Sequence, residues 1–144
     1  MKYDILIVGS GPGGYVAAIR AAQLGRRVAL VERAEAGGVC LNWGCIPTKA
    51  LLKSAQVYGY CRNAGHYGLE LTGEVRPDPE KIVARSRGVA ETMSKGVQFL
   101  LRKNNIDLIP GFGRLTAPGR LDVEGTTYEA DHIILATGAR PREM

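Results

Sequence analysis

Residues 3–32 read as one β-α-β unit that closes on an acid, and this arrangement restricts the fold more than any other part of the chain. The run Tyr3-Asp4-Ile5-Leu6-Ile7-Val8 is almost continuously apolar and ends on a glycine, the pattern of a buried parallel strand. From Pro12 to about Leu24, small and apolar residues recur at helical spacing, with Gly25 placed as a C-cap. Arg27 to Val31 makes a second short strand that ends at Glu32. Parallel strands joined through a helix require a right-handed crossover, so the sequence predicts an α/β domain with a parallel sheet.

The turn inside this unit, Gly9-Ser10-Gly11-Pro12-Gly13-Gly14, is a complete dinucleotide fingerprint. Gly9 permits the tight turn off the strand, Gly11 lets the backbone approach a pyrophosphate, and Gly14 lets the helix pack close to the sheet. The helix N-terminus then presents free N–H groups and a positive dipole to the phosphates. Glu32 lies 18 residues past Gly14, where a carboxylate can accept hydrogen bonds from ribose hydroxyls and would repel a 2′-phosphate. Glycine turns after strands are common. The strand before, helix after, second strand and closing acid distinguish this one from a plain turn with a surface glutamate. The motif indicates a dinucleotide without separating FAD from NAD.

A few residues on, the run Gly37-Gly38-Val39-Cys40-Leu41-Asn42-Trp43-Gly44-Cys45-Ile46-Pro47-Thr48-Lys49 holds two cysteines. A thiol pair beside a nucleotide cradle suggests a redox enzyme in which a bound cofactor exchanges electrons with a disulfide. Residues five apart in a regular α-helix have Cα atoms about 8.6 Å apart, whereas a disulfide needs less than ~7 Å. A Cys40–Cys45 bridge therefore requires a distorted first turn. Gly44 permits unusual dihedrals, and Pro47 removes the N–H that would bond back to Trp43. Thiols near a helix start are favoured as thiolates, the reactive form. Lys49 follows Cys45 at i+4 and can share its face. The other readings are a zinc site, for which the segment supplies too few ligands, and two merely buried cysteines. Cys61 has no partner at useful spacing. His66 reads as loop surface and His132 as a strand-start residue, neither in a local constellation.

The remaining composition narrows the class. With 144 residues, 45% hydrophobic and 23% charged, the chain is one domain's worth of an ordinary globular protein. No apolar run approaches the ~18 residues of a membrane helix. Met1-Lys2 leads directly into the first strand, which leaves no room for a leader peptide. Three cysteines without a leader argue for a reducing, cytoplasmic setting, where a disulfide is catalytic rather than structural. The net charge of +5 is spread among alternating acids, as in Glu91 with Lys95, and no aromatic platform accompanies it, so nucleic acid is not an expected partner.

Further along, the cysteine-bearing stretch reads as a helix over about 40–61, and residues 62–78 read as loop. An amphipathic helix is expected over about 79–103, with Val83, Val89, Met93, Val97 and Leu100 or Leu101 as core. Short strands then follow at Ile106–Arg114, Arg120–Val123, Thr126–Tyr128 and Ile133–Ala136. They predict a small antiparallel excursion over about 106–130 that returns to the main sheet through His132-Ile133-Ile134-Leu135-Ala136.

With both motifs in hand, residues 3–141 resemble the FAD-dependent pyridine nucleotide–disulfide oxidoreductases. The most specific segment is Gly37–Leu52, where Leu41 and Ile46 match the branch acting on dihydrolipoamide; the glutathione and mercuric reductases tend to have Val at both positions. The resemblance implies a Rossmann-like FAD-binding domain in which Gly9, Gly11 and Gly14 hold the pyrophosphate and Glu32 the adenosine ribose. Arg33, Gly38, Val39, Cys40, Lys49, Gly113, Thr137, Gly138 and Ala139 would complete the FAD site. Cys40 and Cys45 would be the catalytic, redox-active disulfide, with Cys45 facing the flavin and Cys40 meeting dihydrolipoamide. Lys49 would sit near the reactive edge of the ring. No metal is implied. Electrons would run to NAD⁺ through a domain this sequence lacks, so the chain reads as an N-terminal segment, inactive by itself, that ends at Pro141-Arg142-Glu143-Met144. The complete enzyme would be a homodimer and would serve a lipoyl-bearing acyltransferase of a 2-oxo acid dehydrogenase complex, or the glycine cleavage system. The competing readings are a sibling flavin–disulfide reductase and a non-catalytic nucleotide-binding module.

Overall fold

The computed structural model describes residues 2–139 and Arg142. Along the chain run β1 (Lys2–Val8), α1 (Pro12–Gln23), β2 (Val28–Glu32), α2 (Gly38–Asn42) and α3 (Cys45–Arg62). A 3-10 turn (Ala64–Tyr67) follows, then α4 (Pro79–Lys103), β3 (Asp107–Pro110), β4 (Gly113–Ala117), β5 (Arg120–Val123) and β6 (Thr126–Leu135). The six strands form one sheet in the order β3-β2-β1-β6-β5-β4. Its β3-β2-β1-β6 part is parallel, with Ile5 opposite Val28, Leu6 opposite Ile133 and Leu30 opposite Leu108. The β6-β5-β4 part is antiparallel.

Strand periodicity decides which side chains meet which layer, because successive residues point to opposite faces. Ile7, Val28 and Leu30 face a cluster that includes Ala18 and Ala21 of α1 and Val97 and Leu101 of α4. Leu6, Val8, Ala29 and Val31 face the other way and pack with Leu121, Val123 and Ala130 of the antiparallel part. β1 and β2 are thus buried on both sides, as their apolar runs require, whereas β3 and the end of β6 are largely exposed. The C-terminus of α1 closes with Arg26 N–H on the Ala21 carbonyl (3.1 Å) and Gly25 N–H on that of Ala22 (2.9 Å), the bond pair of a glycine-capped helix.

Several expectations change. The helix foreseen over 40–61 is two helices, interrupted at Trp43-Gly44. Pro47 explains the break: it cannot donate within a continuous helix but is tolerated in the first turn of α3, where an N–H has no partner to find. Of the stretch 62–78 expected as loop, Arg62 ends α3 and Ala64–Tyr67 form the 3-10 turn, and the rest is loop. Residues 106–114 are not one strand of the excursion, since β3 extends the parallel part beside β2 and only β4 belongs to the antiparallel part. The two short strands at 126–128 and 133–136 are one strand, β6, whose first half pairs with β5 and whose second half pairs with β1. His132 therefore sits inside a strand, exposed, rather than at its start.

On α4 the buried stripe is Ser86, Ala90, Ser94, Val97 and Leu101, whereas Val83, Met93 and Leu100 are exposed and Val89 is half-buried. Small side chains occupy this face because α2 and α3 press against it, and both buried serines are satisfied by carbonyls, Ser86 on Val83 (2.8 Å) and Ser94 on Ala36 (2.7 Å). No described helix is long and apolar enough to cross a membrane. Of the terminal segment expected to lead into another domain, Pro141, Glu143 and Met144 lie outside the described residues.

Candidate functional site

A cleft of about 740 Å³ opens at the C-terminal ends of the parallel strands, where open α/β sheets bind ligands. Three turn residues extend the ladder there: Gly9 N–H bonds Val31 C=O (2.8 Å), Ala136 N–H bonds Val8 C=O (2.8 Å) and Gly111 N–H bonds Glu32 C=O (2.9 Å). The chain then crosses the strand ends at Gly113, where a Cβ would press on Leu121, Val8 and Val31 at 3.3–3.4 Å.

The fingerprint turn forms one wall. Gly9 has φ +100°, and a Cβ there would overlap the Ala136 carbonyl. A Cβ on Gly14 would overlap the Gly9 carbonyl, so Gly14 does not line the cleft but lets α1 sit directly on the turn. The N-terminus of α1 carries no acidic residue in its first turn, which leaves its dipole available to an anion.

Glu32 is held from three sides. Its Oε2 accepts from the Ser10 N–H (2.9 Å) and hydroxyl (2.6 Å), and its Oε1 accepts from the Ala34 N–H (3.0 Å). Burial pushes the carboxyl toward protonation, but the bonds from Ser10 and from the Ala34 N–H outweigh it and hold the pKa below the ordinary glutamate value. Beside it, the Arg33 guanidinium lies 6.0 Å from the centre of the Phe112 ring.

The opposite wall is the segment before α3. Gly38 has φ +62°, and a Cβ on it would meet Gly11 Cα at 2.8 Å, so this turn rests on the fingerprint. Asn42 is buried and its Nδ2 donates to the carbonyls of Gly38 (2.9 Å), Ala36 (3.1 Å) and Glu35 (3.4 Å). From α4, Arg87 donates to the Asn42 carbonyl (2.9 Å) and Ser94 to that of Ala36. This latch fixes the backbone that carries Cys40.

Cys40 and Cys45 are free thiols, near enough for each to act on the other's ionisation. Cys45 and burial raise the Cys40 thiol pKa, against a lowering by the Lys49 charge nearby. Cys40 is half-buried and lines the cleft, while Cys45 and Lys49 are exposed and do not. Two such thiols form an S–S bond by losing two protons and two electrons. Cys61 is unpaired on α3, His66 is exposed, and among the described residues no three His, Cys, Asp or Glu side chains converge as a metal site.

The cleft thus assembles Gly9, Gly11, Glu32, Arg33, Gly38, Val39, Cys40, Gly113, Thr137, Gly138 and Ala139, all foreseen from sequence. It adds Trp43 and Phe112, both exposed and neither foreseen, while Ser10, also not foreseen, lies buried behind Glu32 without lining the cleft. For Phe112 the available signal was its place between Gly111 and Gly113, and for Trp43 its place between the two cysteines. The glycine cradle, the unopposed helix N-terminus, the ionised Glu32 and the aromatic walls together fit an adenine dinucleotide.

A protein-family model described as pyridine nucleotide-disulphide oxidoreductase matches residues 3–144. The chain is 51% identical to the dihydrolipoyl dehydrogenase of Rhizobium etli, over 99% of this chain and 34% of that protein. It is 54% identical to that of Zymomonas mobilis, over 99% of this chain and 31% of the relative. Against that of Bacillus subtilis the identity is 46%, over 99% and 33%. The chain spans about a third of the length of these relatives.

Proposed function

The chain belongs to the pyridine nucleotide-disulphide oxidoreductases, and we propose that it is the FAD-binding, dithiol-bearing part of a dihydrolipoyl dehydrogenase, which oxidises dihydrolipoamide with NAD⁺. The observation that carries this reading is the cleft that joins a dinucleotide cradle to Cys40, whose thiol Cys45 adjoins. The names of the relatives supply the substrate class.

Under this reading the chain's residues bind and orient. Gly9, Gly11 and the α1 N-terminus take the pyrophosphate, and Glu32 accepts from the adenosine ribose. Arg33, Phe112 and the Gly111–Gly113 turn flank the adenine end. Val39, Cys40, Thr137, Gly138 and Ala139 line the flavin end. Bound FAD supplies a two-electron acceptor there. Cys45 is assigned to the flavin side and Cys40 to thiol exchange with the substrate, while Lys49 places a positive charge beside the sulfurs. The position of Cys40 on the cleft wall favours a second reading in which the two sulfurs exchange roles; mass mapping of the first cysteine alkylated in the reduced, FAD-loaded protein decides between them. NAD⁺ as co-substrate, a homodimer, a cytoplasmic setting and a lipoyl-bearing acyltransferase of a 2-oxo acid dehydrogenase complex, or the glycine cleavage system, belong to the same proposal.

The test uses the complete polypeptide that carries these residues. Purified protein retains FAD and turns over dihydrolipoamide with NAD⁺, and Cys45→Ser abolishes turnover while FAD stays bound. Turnover of glutathione disulfide or Hg²⁺ in preference to lipoamide would replace the substrate assignment. Unchanged turnover in Cys45→Ser would leave only a nucleotide-binding module.

A further inference from the structure

Ser10 is the one residue of the fingerprint Gly9–Gly14 with a polar side chain, and it is fully buried. A buried hydroxyl without partners is unfavourable, and this one is used in both senses. Its Oγ donates to Glu32 Oε2 at 2.6 Å and accepts from Gly37 N–H at 3.1 Å. The Ser10 backbone repeats both links, its N–H on the same Oε2 at 2.9 Å and its carbonyl on the same Gly37 N–H at 3.1 Å. A glycine turn that cradles phosphates does so with its backbone and needs no hydroxyl at this position. The hydroxyl is explained by what it joins, the ribose-facing acid on one side and the turn leading to Cys40 on the other.

We propose that Ser10 is a positioning residue that aims the Glu32 carboxylate at the ribose of the bound adenine dinucleotide and, through the same oxygen, anchors the Gly37–Gly38 turn from which the Cys40 helix starts. The proposal rests on the nucleotide reading above. A carboxylate offers roughly four acceptor sites. The two Ser10 donors and Ala34 N–H occupy three, which leaves capacity on Oε1 for a ribose hydroxyl. Around the carboxylate, Arg33 and Glu35 share the cleft wall, Cys40 lies on α2, and Glu124 stands behind the β3–β4 turn as acceptor for Phe112 N–H at 2.9 Å. None of these donates to Oε2 in place of Ser10.

Ser10→Ala is the direct test, because it leaves no orphan: Glu32 keeps both backbone donors and Gly37 N–H keeps the Ser10 carbonyl. Glu32 titrates below its ordinary value of 4.5 when folded. Its bonds therefore stabilise the fold above that pH, and the contribution is lost as pH falls through the lower, folded value. Ser10→Ala moves the folded value back up. The stability difference from wild type, measured by denaturant titration of the apoprotein, is then largest near neutrality and closes on acidification, whereas a packing defect gives the same difference at every pH. In FAD titrations of the complete polypeptide, Ser10→Ala weakens binding about ten-fold, the scale of one hydrogen bond to a charged group. In a Glu32→Gln background the same substitution has less than about a two-fold effect, because the charged partner is gone. A pH-independent stability difference, or equal losses of FAD affinity in both backgrounds, would overturn the proposal. Failure of the wild-type protein to bind FAD would overturn the cofactor reading and the ribose half of the proposal; the apoprotein series then still decides whether Ser10 holds Glu32.

Discussion

Gly14 shows how one residue decides how closely a helix approaches the turn before it. A Cβ there would overlap the carbonyl of Gly9, which is backbone and cannot swing aside as the tip of a side chain can. Gly14→Ala must lift α1 from the sheet, and the expected loss is about 3 kcal/mol or more. Gly13→Ala is the control, since a Cβ there meets only the Ala136 methyl at 3.9 Å. Urea unfolding that gives the two variants equal stability would refute the packing account. At this scale the glycines and Glu32 were legible, because their geometry is imposed locally by a turn and a strand end. Ser10 was not, since the fingerprint treats its position as free and its value depends on Glu32 and Gly37, 22 and 27 residues away.

The elements divide according to how local their causes are. The α4 boundaries follow from signals next to them: Asp78 caps Lys81 N–H at 3.1 Å and Pro79 occupies the first turn. Val97 and Leu101 are core as expected, but the face was misjudged at Val83 and Met93, because periodicity ranks large apolar residues first, while α2 and α3 select the small residues that admit close approach. The division of the cysteine segment into α2 and α3 was anticipated as a distortion around Gly44 and Pro47, but the latch that fixes α2 was not. Asn42→Ala removes the amide NH2 that three buried or half-buried carbonyls share, for an expected loss of about 1–3 kcal/mol. It should also speed alkylation of Cys40 relative to Cys61 in the reduced protein. A stability loss with unchanged Cys40 labelling would mean that Asn42 supports the fold without holding the thiol.

For the whole molecule, the antiparallel strands cover the face of the parallel sheet that the helices leave open. Leu121 is fully buried in this contact, against the cluster of Leu6, Val8, Ala29 and Val31. Leu121→Ala is expected to cost about 2–5 kcal/mol, read as a lower urea midpoint, with hydrogen exchange accelerated in β5 and β6 before α1. Uniform acceleration throughout the chain would show that the two parts unfold as one. The sequence by itself determined the β-α-β unit, the nucleotide cradle and the acid at its end, because turn dihedrals, helix caps and strand alternation act over a few neighbouring residues. Tertiary structure alone decided that β3 joins the parallel edge while β4 crosses to the far one, and that β6 pairs in two directions. It also decided that Trp43 and Phe112 meet the cleft and that Ser10 reaches Glu32 from behind it. Those outcomes depend on which surfaces remain to be buried once the local elements exist, and no short stretch of sequence carries that information.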